Sequence, residues 1–148
     1  MVGADPDHKV THLGICVRDL QRSIAFYESA LGFTPVRRIV ASGPETEQIL
    51  SVPGTTVELV YLERDGFRIE LLGYSGGASG DPSPRPMDQV GFTHLSILVT
   101  SLDDLITRIE AHGGRVLDST RVTFEWDNRG VMAVDPDGTR IELIERRP

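Results

Sequence analysis

The hydrophobic positions of this chain follow two periods, one typical of helices and one typical of strands. Apolar residues recur every three or four positions after Asp19 and again after Ser101, and both residues are suitable helix N-caps. The first helix is predicted to end at Gly32 and the second at Gly113-Gly114. The apolar stripes are Leu20, Ile24, Tyr27 and Leu31 in the first helix, and Leu102, Leu105, Ile106 and Ile109 in the second.

Alternating and β-branched apolar runs predict strands before and after each helix. They cover 10–17, 36–40, 57–62 and 67–72 in the first half, then a run from Thr93 followed by 116–117, 130–134 and 139–144 in the second. Asp135-Pro136-Asp137-Gly138 predicts a tight hairpin turn, because glycine readily adopts positive φ. Each half is thus expected to form a strand, a helix and then several strands.

The two halves are copies of one unit. Residues 11–20 match residues 93–102 at six of ten positions, and residues 66–72 match residues 138–144 at five of seven. The offset falls from 82 to 72 positions, so the first copy carries about ten extra residues, which we place in a loop within 41–56. A segment rich in Gly, Ser and Pro separates the copies. The sequence predicts one domain over 1–148, with module one at about 8–73, an exposed linker at about 74–90 and module two at about 91–147.

Two histidines and two glutamates occupy matching positions in the repeat: His12 with His94, and Glu70 with Glu142. Side chains alternate across a strand, so each lies on the face opposite the apolar residues of its own strand. A single strand glutamate usually faces solvent. Two matching pairs related by a pseudo-twofold axis, however, would meet around one point. Nitrogen and carboxylate donors together suit a divalent cation, and we predict that these four residues bind one.

Charge and composition exclude several classes of function. The formal net charge is -7 and the basic residues are scattered, which disfavours binding to nucleic acid. No apolar run is long enough to span a membrane, so no membrane association is expected. The single cysteine, Cys16, cannot form an internal disulfide, and no export signal is apparent, which favours a cytoplasmic location. A small-molecule substrate remains the expectation.

Three stretches carry a family resemblance that extends from Lys9 to Arg146. These are the paired TH-L-x-I-x-V strands, residues 19–27 with Leu31-Gly32-Phe33, and residues 135–143, and they resemble the glyoxalase I and vicinal oxygen chelate (glyoxalase/bleomycin resistance/dioxygenase) superfamily. The resemblance implies an α+β fold of two tandem βαβββ modules that form a cupped, barrel-like mixed sheet with helices outside. It also implies that His12, Glu70, His94 and Glu142 are the ligands of one divalent ion (Ni, Co, Zn, Mn or Fe), and that the protein is a homodimer.

Such an ion would polarise a substrate carbonyl and acidify the neighbouring C–H bond. We therefore expect a metal-dependent lyase or isomerase of the glyoxalase I type, acting through an enediolate on a small carbonyl or thioester substrate. A glutamate that can leave the ion is a suitable base, with Glu142 the first choice and Glu70 its symmetric alternate. Glu58 is a further possible acid or base, although a solvated position suits it better.

Three alternatives stay open within the superfamily. Residues 57–72 are similar to methylmalonyl-CoA epimerases. Ring-cleaving, extradiol-type dioxygenases typically use two histidines and one glutamate on iron, so the presence of both glutamates argues mildly against that class. Antibiotic-binding resistance proteins generally lack the ligands, although Tyr61, Phe124, Trp126 and Met132 could line a drug-binding cup.

Overall fold

The computed structural model describes residues 7–146 and contains the two predicted modules. The elements of module one are β1 (Leu13–Cys16), α1 (Leu20–Ala25), β2 (Thr34–Ser42), α2 (Pro44–Leu50), β3 (Thr56–Arg64) and β4 (Phe67–Tyr74). Those of module two are β5 (His94–Val99), α3 (Leu102–Ala111), β6 (Arg115–Thr123), β7 (Arg129–Val134) and β8 (Arg140–Glu145). The predicted α+β fold of two βαβββ modules is confirmed.

Each module folds into its own four-stranded mixed sheet. The strand orders are β1-β4-β3-β2 and β5-β8-β7-β6, and the first strand of each module runs parallel to the last. The other neighbours are antiparallel. The sheets are cupped and do not close into a barrel within the chain. One face of each sheet is covered by helices, and we call the opposite face the open face.

The predicted caps begin both main helices. The Asp19 carboxylate accepts a hydrogen bond from the Arg22 backbone N–H at 3.0 Å, and the Ser101 hydroxyl accepts one from the Asp104 backbone N–H at 3.3 Å. After α1 the chain continues through a π-helical turn, Phe26–Ala30, which buries Phe26 beside the predicted Tyr27. The wider turn brings an additional aromatic ring into the core.

The helices of the two modules share one core. Phe26 of module one packs near Ile109 at the end of α3, and Gly114 makes this approach possible. A Cβ atom on Gly114 would lie 2.6 Å from the Phe26 ring and 2.7 Å from Ile109. The modules therefore contact each other through their helix-covered sides.

Two connecting segments differ from the expectation of plain loops. The insertion within 41–56 contains α2, which begins with Pro44 in its first turn and ends at Leu50. The segment between the modules is mostly exposed, and it is tied to module two: Arg140 Nε donates to the Arg85 carbonyl at 2.8 Å, and Gly138 (φ 92°) lies directly against Pro82. No helix within 7–146 is both long and apolar enough to cross a membrane.

A buried hydrogen bond between the modules supplies a test of this packing. Tyr27 donates to Asp135 Oδ2 at 3.0 Å, and burial raises the pKa of both groups. Tyr27→Phe should lower the free energy of unfolding by roughly 1–3 kcal/mol, because a buried carboxylate loses a donor. Urea unfolding would measure the change. Tyr74→Phe, at a partly exposed tyrosine, is the control, and equal midpoints for the two variants would contradict the assignment.

Candidate metal centre

The first predicted pair comes together on the open face of module one. His12 directly precedes β1 and Glu70 lies in β4, and the parallel pairing of these strands brings His12 Nε2 to 3.2 Å from Glu70 Oε2. Thr11 Oγ1 lies 2.9 Å from His12 Nδ1. With Nδ1 protonated and donating to the threonine, Nε2 carries the free lone pair that a metal ligand needs.

The second pair repeats this arrangement on the open face of module two. His94 begins β5 and Glu142 lies in β8, with His94 Nε2 3.6 Å from Glu142 Oε2. Thr93 Oγ1 again lies 2.9 Å from the histidine Nδ1. The Ser96 hydroxyl donates to Glu142 Oε2 at 2.7 Å. The same threonine-histidine-glutamate geometry therefore occurs in both copies of the repeat.

The two glutamates differ in their surroundings. The side chain of Glu70 is 10% exposed and that of Glu142 is 32% exposed. Tyr61 lies directly across from Glu70 in the β3–β4 ladder, and the interaction of its hydroxyl with the Glu70 carboxylate, together with burial, raises the pKa of Tyr61. In module two the position across from Glu142 is Met132. Glu70 is consequently the more enclosed carboxylate.

Within one chain the four residues form two separate histidine-glutamate pairs. Among residues 7–146 there is no group of three or more His, Cys, Asp or Glu side chains placed to hold one ion. Each chain therefore presents two half-sites, which we define as His12 with Glu70 and His94 with Glu142. Two ligands at right angles on one ion, each at about 2.1 Å, would stand ~3.0 Å apart, which is close to the spacing within each half-site.

Other residues singled out in the sequence lie elsewhere. Glu58 is on the opposite face of β3 from Tyr61 and accepts a hydrogen bond from Arg38, so it does not face the half-site. Phe124 packs against Gly130, where a Cβ atom would stand 2.8 Å from its ring. Trp126 is 87% exposed. From sequence, Tyr61 is only one of the residues that could line a drug-binding cup; the strand register is the signal that identifies it as a neighbour of Glu70.

The chain resembles known proteins along most of its length. The model of the Glyoxalase/Bleomycin resistance protein/Dioxygenase superfamily matches residues 9–143. The chain belongs to this superfamily. It is 29% identical to a lactoylglutathione lyase of Salmonella typhimurium over 150 aligned positions, which cover 94% of this chain and 93% of that enzyme.

Solved structures extend the likeness to the fold. A glyoxalase family protein from Bacillus cereus superposes with a TM-score of 0.80 at 22% identity, covering 96% of this chain and 98% of that one. The trypanothione-dependent glyoxalase I of Leishmania major gives a TM-score of 0.64 at 25% identity, covering 93% of this chain and 86% of that one. These structures show that the chain shares their fold, and a shared fold does not identify its reaction.

Proposed function

We propose that this protein is a divalent-metal-dependent glyoxalase I, a lyase that converts the hemithioacetal of a small 2-oxoaldehyde and a thiol into a thioester. The observation that carries the proposal is the pair of matching histidine-glutamate half-sites on the open faces. The similarity to a lactoylglutathione lyase along nearly the full length of both chains supports the choice of reaction.

The donors fit a divalent ion. Two imidazole nitrogens and two carboxylates suit Ni, Co, Zn, Mn or Fe, and four protein ligands on an octahedral ion leave two positions for adjacent substrate oxygens. When bound, the ion would polarise the substrate carbonyl and stabilise negative charge on its oxygens. Each threonine would orient its histidine through Nδ1, as outer partners of metal ligands commonly do.

The protein groups then have to move a proton between two adjacent carbons. Glu142 removes the hydrogen from the carbon that bears sulfur, which gives an enediolate, and returns it to the neighbouring carbon. The hydroxyl proton of the first carbon moves to the oxygen of the second, so the first carbon becomes the thioester carbonyl and the second bears the hydroxyl. The larger exposure of the Glu142 side chain and its single short contact with Ser96 favour it over Glu70 as the group that moves. Glu70, enclosed by its neighbours, would remain a ligand.

Completion of the centre requires a second copy of the chain. The half-sites of one chain are separate, and both lie on open faces that a partner can cover. We propose a symmetric dimer in which His12 and Glu70 of one subunit share an ion with His94 and Glu142 of the other. Light scattering at micromolar concentration should give the mass of a dimer, and a monomer throughout that range would contradict the shared centre.

The reaction is tested by metal reconstitution and a substrate panel. Protein stripped with a chelator should be inactive toward methylglyoxal with glutathione, and addition of Ni, Co, Zn, Mn or Fe should restore thioester formation with about one ion per four ligands. A 2-methyl-branched acyl-CoA and a catechol are tested in parallel. If no thioester forms, turnover of the acyl-CoA would instead assign the protein to the epimerases, and turnover of the catechol would assign it to the dioxygenases. Failure to bind any of the five ions would remove the metal mechanism altogether.

A further inference from the structure

The repeat is nearly symmetric at the metal ligands but not beside them. The residue across the ladder from Glu70 is Tyr61, and the residue across from Glu142 is Met132. On the other side of each glutamate the hydroxyl is in module two instead: Gly14 of β1 lies beside Glu70, and Ser96 of β5 lies beside Glu142. Each glutamate therefore has a hydroxyl group beside it, on opposite sides in the two modules: Tyr61 lies across the ladder from Glu70, and Ser96 donates to Glu142 at 2.7 Å.

Tyr61 touches both members of its half-site. It lies directly across the ladder from Glu70, and its ring meets the His12 ring edge to face, with centroids 5.3 Å apart and an interplanar angle of 80°. The interaction of its hydroxyl with the Glu70 carboxylate is the largest cause of the raised pKa of Tyr61. The contact with His12 holds the phenol ring, so its hydroxyl is presented to Glu70 from a fixed position. A carboxylate has enough acceptor positions to accept a hydrogen bond from this hydroxyl and still bind an ion.

Gly14 of β1 lies directly beside Glu70. A Cβ atom there would stand 3.8 Å from Glu70 Oε2, in van der Waals contact, and 3.3 Å from Leu72 Cδ1. The glutamate is thus confined between β1 and Tyr61, which agrees with its low exposure.

We propose that Tyr61 is a positioning residue that fixes His12 and Glu70 as a preformed, rigid half-site, so that the matching glutamate of module two is the one left free to move. The inference rests on the proposed metal-dependent function and deepens it. Glu70 would act as a fixed ligand and Glu142 as the mobile base, because Tyr61 has no counterpart across from Glu142.

Metal binding, measured without substrate, tests this directly. Tyr61→Phe keeps the ring on His12 and removes only the hydroxyl. By calorimetry its affinity for Co(II) should fall about 10–100-fold while the number of ions bound stays the same, the usual effect of losing an outer hydrogen-bond partner of a ligand. The visible absorption of the bound Co(II) should also change, because Glu70 is no longer held in one orientation.

Tyr74→Phe is the matched control. Tyr74 lies on the same side of β4 four positions from Glu70 and interacts with it only through space. It should leave Co(II) affinity and spectrum within about twofold of the parent protein. Thermal unfolding of the metal-free proteins distinguishes a positioning role from a purely structural one. Tyr61→Phe should change the Co(II) affinity and spectrum but leave the unfolding temperature of the metal-free protein nearly unchanged.

The outcomes distinguish this inference from the proposed function. Parent protein that binds Co(II) while Tyr61→Phe binds it with equal affinity and an unchanged spectrum would overturn the positioning role and leave the glyoxalase proposal standing. Parent protein that binds no Co(II) would overturn both. A Tyr61→Leu variant, which also removes the ring from His12, should bind Co(II) more weakly than Tyr61→Phe; an equal affinity would show that the ring contact contributes nothing.

Discussion

Glu142→Gln, saturated with metal, is expected to bind substrate normally and to lose on the order of 10²–10⁴ in turnover. Glutamine has nearly the same shape, and its amide oxygen can still coordinate a divalent ion, although more weakly than a carboxylate does. It cannot accept a proton from carbon. Comparing kcat and KM at saturating metal separates the lost proton transfer from a weaker metal site.

Glu70→Gln is the matched variant, since it changes the same functional group in the other module. Once metal is restored it should retain far more turnover than Glu142→Gln, because Glu70 is expected to act as a ligand and not as the base. Exchange of the substrate α-proton with solvent deuterium provides a second readout. If neither variant slows this exchange when fully metallated, the glutamate-base mechanism is wrong and the reaction must be reassigned.

The sequence predicted that His12 and Glu70, and likewise His94 and Glu142, lie on the face opposite the apolar residues of their strands, because that depends on local pattern. Strand alternation put His12 and Glu70 on one face, and the repeat extended the same reasoning to His94 and Glu142. Parallel pairing of the first and last strand of each module then brought histidine to glutamate. The strand period and the repeat indicated which residues share a face, whereas the strand pairing that brings them together is a feature of the fold.

The separation of the half-sites could not be predicted in this way. It follows from the packing of the modules through Phe26, Ile109 and Gly114. Hydrophobic periodicity predicts secondary structure but does not specify such tertiary packing. Tyr61 was similarly hidden, because its role depends on the register between β3 and β4 and not on its neighbours in sequence. The short helix α2 did have local signals, a proline in its first turn and two early glutamates, but seven residues are too few for a clear helical period.

Mixing two inactive variants should restore activity if the centre is shared between subunits. His12→Ala and His94→Ala each remove one ligand from every site of a homodimer, so each alone should lose tight metal binding and turnover. In a mixed dimer one shared site receives both substitutions, and the other receives two intact half-sites.

A mixed dimer isolated with two different affinity tags should therefore bind one ion tightly and show about half of the parent activity. Two-fold symmetry places both substitutions in one of its two shared sites and leaves the other site intact. His12→Ala mixed with Glu70→Ala is the matched control. Both substitutions lie in module one, so each shared site of that mixed dimer contains one damaged half and no activity should return. A centre built within one chain gives a different result, since both sites of the first mixed dimer would then be defective. Absence of activity in a verified His12→Ala and His94→Ala mixed dimer would accordingly refute the shared centre, because its intact half-sites would have failed to form a site together.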